Sequence, residues 1–301
     1  MNLLDRVVGR AERRVQIWRG RSPVFDHFCR AVGRYVEVLG GRLAAGIAYY
    51  GFFAVFALGL VAYWIFGTVL GESQRVNEGT AHFFRQNLPF LDPEQIQQGA
   101  RRVGIIGLVL LVITGIGWVE AIRSSQRLIY RLNQQPGYVV IRQLIDLVVV
   151  LGVFLLLGIS VGAVDTLQSV LRLAIGSHTV LVSITSWVLA LVINMVLATA
   201  LMLAVPRLRI TPRRLFSPVL LVALGVTLLN SVGRYYVVRF ERNLAYTAVA
   251  GTVGLLVYLY LLNQLLLFGA ALAATSHRGR VIDLAADDPP APGPPRVGEP
   301  R

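Results

Sequence analysis

The feature that most constrains this chain is residues 43–70, a run of 28 positions without one charged side chain. As a helix it would be about 42 Å long, more than the roughly 30 Å of a bilayer's hydrocarbon core, so it is expected to span a membrane with a tilt or a bend. Five more apolar runs follow, at about 103–119, 144–164, 179–205, 215–233 and 248–275. The sequence therefore predicts an all-α polytopic membrane protein, a bundle of six transmembrane helices over residues 43–277.

The composition supports a membrane protein and restricts its chemistry. Only 15% of the residues are charged, against about 25% in soluble domains, which argues against a large soluble helical domain. All 29 basic residues are arginine, so a phosphate-binding loop and lysine-based catalysis are excluded. The net charge is +13, and the arginines that produce it flank the apolar runs. This position favours anionic membrane lipids over nucleic acid as the partner. Protein partners stay unknown.

The distribution of arginine predicts the orientation. If the N-terminus is cytoplasmic, 21 of the 29 arginines fall in inner segments and 8 in outer ones. An excess of basic residues in cytoplasmic loops is the usual pattern of multi-pass proteins. We therefore expect both termini in the cytoplasm.

The two ends of the chain lead to different predictions. Residues 1–42 form a basic, amphipathic segment in which Ser22 and Pro23 resemble a helix cap and a first helical position. The segment predicts amphipathic interfacial helices on the cytoplasmic side, or equally helices that pack on the inner end of the bundle. Residues 278–301 are rich in proline, aspartate and small residues, which predicts a disordered cytoplasmic tail.

Two regions carry a family resemblance. They are residues 44–58, which begin Ala-Ala-Gly-Ile-Ala-Tyr-Tyr, and residues 201–273, with the sequence Leu-Met-Leu-Ala-Val-Pro-Arg at 201–207, Gly251, Gly254, Leu255, Leu256, Tyr258-Leu259-Tyr260 and Gly-Ala-Ala-Leu-Ala at 269–273. In these the chain resembles the YihY/BrkB family of bacterial inner-membrane proteins, over about residues 25–277. The resemblance implies six spans and a place in the bacterial inner membrane.

The chain departs from the pattern of that family at four positions. Val55 and Ala57 stand where the family often has serine and proline, and Arg207 follows Pro206 where it often has asparagine. Ala271 stands where it often has an acidic residue, which puts in doubt a mechanism that needs a carboxylate in span six. Family members have been labelled ribonuclease BN and serum-resistance virulence factor, and lipid export has been proposed for some.

Polar side chains within the last three spans are one set of candidate site residues. They are Asn194, Asn230, Asn263 and Gln264. One polar side chain per span is typical of contacts that hold membrane helices together, and three in consecutive spans could instead line a polar cavity. If the chain has a transport path, these residues are expected on it.

Charged side chains near the span ends are the other set. Asp146 follows Arg142 by four residues, which predicts an ion pair at the inner boundary, with a proton or cation site as the alternative. Glu120 with Arg123 and Arg127 predicts solvated pairs at the inner end of span two. Arg234 and Arg239 could contact anionic headgroups outside, or extend to the interface as arginines often do.

Nothing in the sequence indicates an enzyme. The four histidines are scattered over separate polar segments, and no nucleophile, metal-ligand or cofactor motif is present. We expect no catalytic, metal or cofactor site, and no ribonuclease activity. The function that remains is a transporter or flippase of a lipid or other amphiphile; the alternative is a non-transporting scaffold or accessory factor for the bacterial envelope.

Overall fold

The computed structural model describes residues 16, 18–69, 100–136, 138–149, 151–152, 155, 180–240 and 244–285. Its helices are α1 (Pro23–Glu37), α2 (Gly40–Val69), α3 (Ala100–Ile129), α4 (139–149), α5 (Val180–Leu203), α6 (Pro212–Phe240) and α7 (Leu244–Thr275). Two short strands, β1 (Leu208–Ile210) and β2 (Val281–Asp283), form a two-stranded antiparallel sheet. The chain is mostly helical, as predicted, and this small sheet is an addition that the sequence did not predict.

Helices α2 and α3 are antiparallel and in close contact at glycines. Gly51 of α2 faces Trp118 of α3, and Gly107 of α3 faces Leu60 of α2. A Cβ added at Gly107 would lie 2.8 Å from the Cβ of Leu60, so a larger residue there would push the helices apart. Glycine at a helix contact lets two backbones approach, as is common between membrane helices.

Helices α6 and α7 form a second antiparallel pair. Gly225 lies against Leu265, and Gly269 lies against Val222. The main hydrophobic core is centred on this pair and on the adjoining end of α5, where Met202, Leu267 and Ala270 are fully buried.

Four of the described helical segments are long and apolar enough to cross a membrane: Gly40–Val61, Gly104–Ile129, Pro212–Val232 and Gly251–Thr275. The described part of α5 adds a shorter apolar stretch, Trp187–Leu203. At most 44% of any of the four spans is buried within the protein, and the rest presents apolar side chains outward, as a bilayer requires. The total of six spans stays a prediction, because most of residues 144–164 lies outside the described residues.

Helix α1 begins where the sequence predicts and packs on the bundle. The Ser22 hydroxyl accepts a hydrogen bond from the Phe25 amide at 3.3 Å, with Pro23 in the first helical position. The ring of Phe28 contacts the ring of Phe268 in α7, with centroids 5.6 Å apart. Its valines at 24, 32 and 36 are exposed. The predicted helical pattern that precedes α1 falls almost entirely outside the described residues.

The prediction of a disordered tail is wrong for residues 278–285. Strand β2 pairs with β1 in the register Leu208↔Asp283, Arg209↔Ile282 and Ile210↔Val281. The amide of Leu284 also donates to the carbonyl of Arg207 at 3.0 Å. The apolar residues at 281, 282 and 284 suit a strand, and their signal was averaged out by the proline-rich remainder, which lies outside the described residues.

Candidate functional site

Four basic segments distant in sequence meet at one end of the bundle, which we call the basic end. They are α1, the end of α3 with the start of α4, the β1 region between α5 and α6, and β2 after α7. These are the segments predicted to be cytoplasmic. Six of the arginines there are turned inward onto other parts of the protein: Arg34, Arg123, Arg127, Arg142, Arg207 and Arg214.

Arginines bind the C-terminal carbonyl groups of helices that end here. Arg34 Nε donates to Ile129 O of α3 at 2.7 Å. Arg214 donates to Ala273 O at 2.6 Å and to Ala274 O at 2.7 Å in the last turn of α7. The last carbonyls of a helix lack intrahelical partners and carry a partial negative charge. A guanidinium stabilises them both by donating hydrogen bonds and by its positive charge.

Arg127 is held by the C-terminal segment. Its Nη1 and Nη2 donate to the two carboxylate oxygens of Asp283 at 2.9 and 2.6 Å, and Nη1 also donates to Pro206 O at 3.0 Å. Burial disfavours the Asp283 anion, but the hydrogen bonds from Arg127 and Ala285 outweigh it and keep the pKa of this carboxyl below its ordinary value. The prediction of a solvated Arg127 at the end of span two is wrong, since its side chain is fully buried.

Asp146 lies between two arginines from other elements. Its Oδ2 is 3.0 Å from Arg123 Nη2 of α3, and its Oδ1 accepts from Arg207 Nη2 at 2.9 Å. Asp146 is 1% exposed and Arg123 is fully buried. The predicted pair with Arg142 is not formed: the Arg142 side chain turns to Glu120, at 4.0 Å. The spacing allowed the helical pair, but Asp146 faces the bundle rather than the helix surface.

Arg207 has a strained backbone. Its φ is +57°, in the left-handed region that asparagine and glycine tolerate better than arginine. This is the position where the resembled family often carries asparagine. The side chain of Arg207 donates to Asp146 and to Arg142 O at 3.2 Å, and these bonds offset the strain.

The three arginines 123, 142 and 207, which we call the arginine cluster, have donors to spare. Among the residues that the structure describes, Asp146 and Glu120 are the carboxylates that face them. Glu120 lies 3.8 Å from Arg123 and 4.0 Å from Arg142, beyond hydrogen-bond distance. Within the described residues, the buried nitrogens of the cluster without a hydrogen bond are Nε, Nη1 and Nη2 of Arg123, Nε of Arg142 and Nε of Arg207. The cluster therefore carries one net positive charge and several unused N–H groups.

Glu37 is another carboxylate that lies between two arginines, but it is exposed to solvent. Arg34 Nη1 and Arg131 Nη2 lie 2.9 and 3.2 Å from its oxygens, and the Glu37 side chain is 54% exposed. The hydrogen bond from Arg34 is the main reason that the pKa of Glu37 is lowered. Glu37 is thus an exposed counterpart of Asp146.

The polar residues of the last spans form a layer across α5, α6 and α7. Asn194 donates to the Thr227 hydroxyl at 2.9 Å, and the Tyr258 hydroxyl donates to Asn230 at 2.6 Å. Asn263, at the centre of Gly251–Thr275, is fully buried; its amide donates to Leu259 O, and its Oδ1 has no hydrogen-bond partner among the described residues. We call these five side chains, including Thr227 and Tyr258, the polar layer.

The antiparallel register of α6 and α7 brings Asn263 to about the same height as Thr227 along the helix axes. Gln264 is half-buried on the next position of α7. Arg234 and Arg239 belong to the last turns of α6, and their side chains are outside what the structure describes.

The remaining candidate groups do not converge. Within the described ranges no group of three or more His, Cys, Asp or Glu side chains is placed to hold a metal ion. His27 Nε2 lies 2.9 Å from Leu272 O, so this histidine is a helix-packing contact. His82 and His178 lie outside the described residues.

Four partners of the basic end were missed in the sequence: Arg34, Arg207, Arg214 and Asp283. The signal that could have identified Arg207 is its place after Pro206, where asparagine is frequent in the resembled family. An acid within the otherwise basic stretch 276–284 could have pointed to Asp283. No feature of the sequence distinguishes Arg34 and Arg214 from the other arginines.

Long apolar helices with outward apolar faces, joined at a basic end, define a multi-pass membrane protein. The chain belongs to the family described as virulence factor BrkB, whose model matches residues 31–293. It is 24% identical over 299 residues to inner membrane protein YhjD of Escherichia coli (strain K12), covering 91% of this chain and 85% of that protein. It is 23% identical over 296 residues to an uncharacterised protein of Dickeya dadantii (strain 3937), covering 90% and 88%. No solved structure matches.

Proposed function

We propose that this membrane protein is a transporter or flippase of a lipid or other amphiphile, with both termini in the cytoplasm of a bacterial inner membrane. It acts without a metal or cofactor and is not an enzyme; anionic membrane lipids, and not nucleic acid, are its partners. The name of the Escherichia coli relative supports the inner membrane.

The observation that carries the transport proposal is the buried amide of Asn263. Its Oδ1 lies at the centre of a candidate span and has no hydrogen-bond partner within the described ranges. Leaving a buried polar group unsatisfied costs about 1–3 kcal/mol, and polar groups in membrane spans are mostly tied to function. Two further polar pairs, Asn194–Thr227 and Asn230–Tyr258, lie on the same three helices. An amphiphile's headgroup would find polar contacts in this layer when it is halfway across the membrane.

The second candidate is a non-transporting scaffold, and the hydrogen bonds of two of these amides favour it. Asn194 and Asn230 each hydrogen-bond a side chain of the neighbouring helix, as residues do that merely hold helices together. In that case the polar layer is a structural contact, and the protein acts through its basic end.

Lipid transfer in proteoliposomes separates the two functions. Purified protein is reconstituted with a fluorescent phospholipid, and transfer between leaflets is followed by chemical quenching of the outer leaflet. We expect transfer above that of empty liposomes, and Asn263→Leu and Thr227→Val to slow it about tenfold, which corresponds to about 1.4 kcal/mol in the barrier.

Thr114→Val is the matched control for Thr227→Val. Both hydroxyls donate to the carbonyl four residues earlier, at 2.7 Å to Leu110 O and 2.8 Å to Ala223 O, but Thr114 lies in α3, away from the polar layer. It should keep the wild-type rate. Transfer no faster than in empty liposomes would favour the scaffold, and equal rates for Thr227→Val and Thr114→Val would remove the role of the polar layer.

A further inference from the structure

The arginine cluster is a charged site that the polar layer does not use. Arg123, Arg142 and Arg207 come from α3, α4 and the residue before β1, so three elements converge on it. Fully buried charge at the end of a membrane span is expensive unless it is matched by opposite charge. Here the match is incomplete, since three guanidinium groups face two carboxylates in the described part of the chain.

The two carboxylates are held differently. Asp146 is 1% exposed and lies 3.0 and 2.9 Å from Arg123 and Arg207. Glu120 is 34% exposed and stays 3.8 and 4.0 Å from Arg123 and Arg142. Asp146 is therefore a fixed part of the cluster, whereas Glu120 lies at its open side without a hydrogen bond to either arginine.

The unused donors indicate what the cluster lacks. Nε and Nη1 of the fully buried Arg123 and Nε of Arg142 have no hydrogen-bond partner in the part of the chain that the structure describes. A guanidinium is suited to oxyanions because its N–H groups form a planar fork that binds two oxygens at once. A phosphate has more oxygens than a carboxylate and can therefore accept hydrogen bonds from more of these donors at once.

We propose that the arginine cluster binds a phosphate group, which displaces the Glu120 carboxylate and takes hydrogen bonds from Arg123 and Arg142. Asp146 stays in place and orients Arg123 and Arg207. The cluster lies where α3 ends and α4 begins, so an amphiphile bound by its phosphate would extend its chains along the apolar outer faces of these helices. In transport, this site would receive the headgroup at the basic end; that part rests on the proposed function, whereas binding does not.

Calorimetric titration of the full-length protein in uncharged detergent micelles tests the site. The probes are dioctanoyl phosphatidic acid and, separately, inorganic phosphate. Arg142→Gln should weaken binding about tenfold, since a hydrogen bond to a charged group is lost. Glu120→Gln should tighten binding severalfold because the competing anion is gone, an effect that a misfolded variant could not produce.

Arg209→Gln is the matched control. Arg209 is an exposed arginine two residues from Arg207 at the same end of the protein, so its removal lowers the net charge equally without touching the cluster. Its affinity should stay within about twofold of wild type. Equal losses in Arg142→Gln and Arg209→Gln would show that only overall charge matters, and an unchanged affinity in Glu120→Gln would likewise overturn the site.

The two probes distinguish the source of the phosphate. Tight binding of phosphatidic acid, displaced by inorganic phosphate only at high concentration, identifies a lipid headgroup. Saturation by inorganic phosphate that phosphatidic acid does not compete with identifies a free anion. If the wild-type protein bound the probe but transferred no lipid, the proposed function would be wrong and the phosphate site would remain supported. If Arg142→Gln abolished binding but not transfer, the site would bind phosphate without taking part in transport.

Discussion

Replacing Asp146 with alanine is expected to destabilise the protein by about 3–5 kcal/mol, because it leaves buried arginines without their carboxylate. Asp146 is 1% exposed, and both its oxygens face guanidinium groups, those of Arg123 and Arg207. Arg207 would also lose the side-chain hydrogen bond that helps to hold its left-handed backbone. The measurement is the free energy of unfolding in mixed micelles, from titration with a denaturing detergent.

Glu37→Ala is the control for this substitution. Glu37 also lies between two arginines, but its side chain is 54% exposed. Exposed ion pairs contribute about 0–1 kcal/mol, so this variant should remain close to wild type. If the two variants lost equal stability, burial would not be what makes Asp146 important.

Replacing Arg127 with alanine is the second large effect, again about 3–5 kcal/mol. The fully buried guanidinium binds both oxygens of Asp283 and the carbonyl of Pro206. Its loss leaves an uncompensated carboxylate and detaches β2 from the end of α3. Hydrogen exchange at the Leu284 amide, which donates to Arg207 O, should become markedly faster in the same variant.

Arg131→Ala is the matched control on the next turn. Its side chain is 74% exposed and pairs with Glu37 in solvent, so less than about 1 kcal/mol should be lost. Slow exchange at Leu284 in Arg127→Ala would contradict the role given to the Arg127–Asp283 pair.

Local patterns predicted much of the fold. The uncharged run at 43–70 became α2, and Ser22 with Pro23 begins α1 as their chemistry requires. These features depend on residues close in sequence, where composition, helical period and capping act directly. The strand at 281–283 was missed because its few apolar residues precede a proline-rich stretch, and because its partner lies before α6.

The charged pairs could not be predicted in the same way. Arg142 and Asp146 have the spacing of a helical pair, but Asp146 takes partners from α3 and from the residue before β1. Arg127 pairs with a residue 156 positions away. Sequence spacing identifies which charges lie near a membrane boundary, whereas their pairing depends on how the helices are placed around one another. The same holds for Asn194 and Asn230, because nothing in the sequence marked Thr227 and Tyr258 as their hydrogen-bond partners.

The central claim is that basic segments distant in sequence close together into one end of the bundle. Its most direct test is a disulfide across the sheet, between Arg209→Cys and Ile282→Cys in a Cys29→Ser background. These positions are direct partners in the antiparallel register and both are exposed, so their Cα atoms should lie about 4.5–5.5 Å apart, within disulfide range. The account predicts a rapid, near-complete intramolecular cross-link under mild oxidation. If neither this pair nor Arg209→Cys with Arg280→Cys formed a cross-link, the two segments would not be in contact, which would contradict the account.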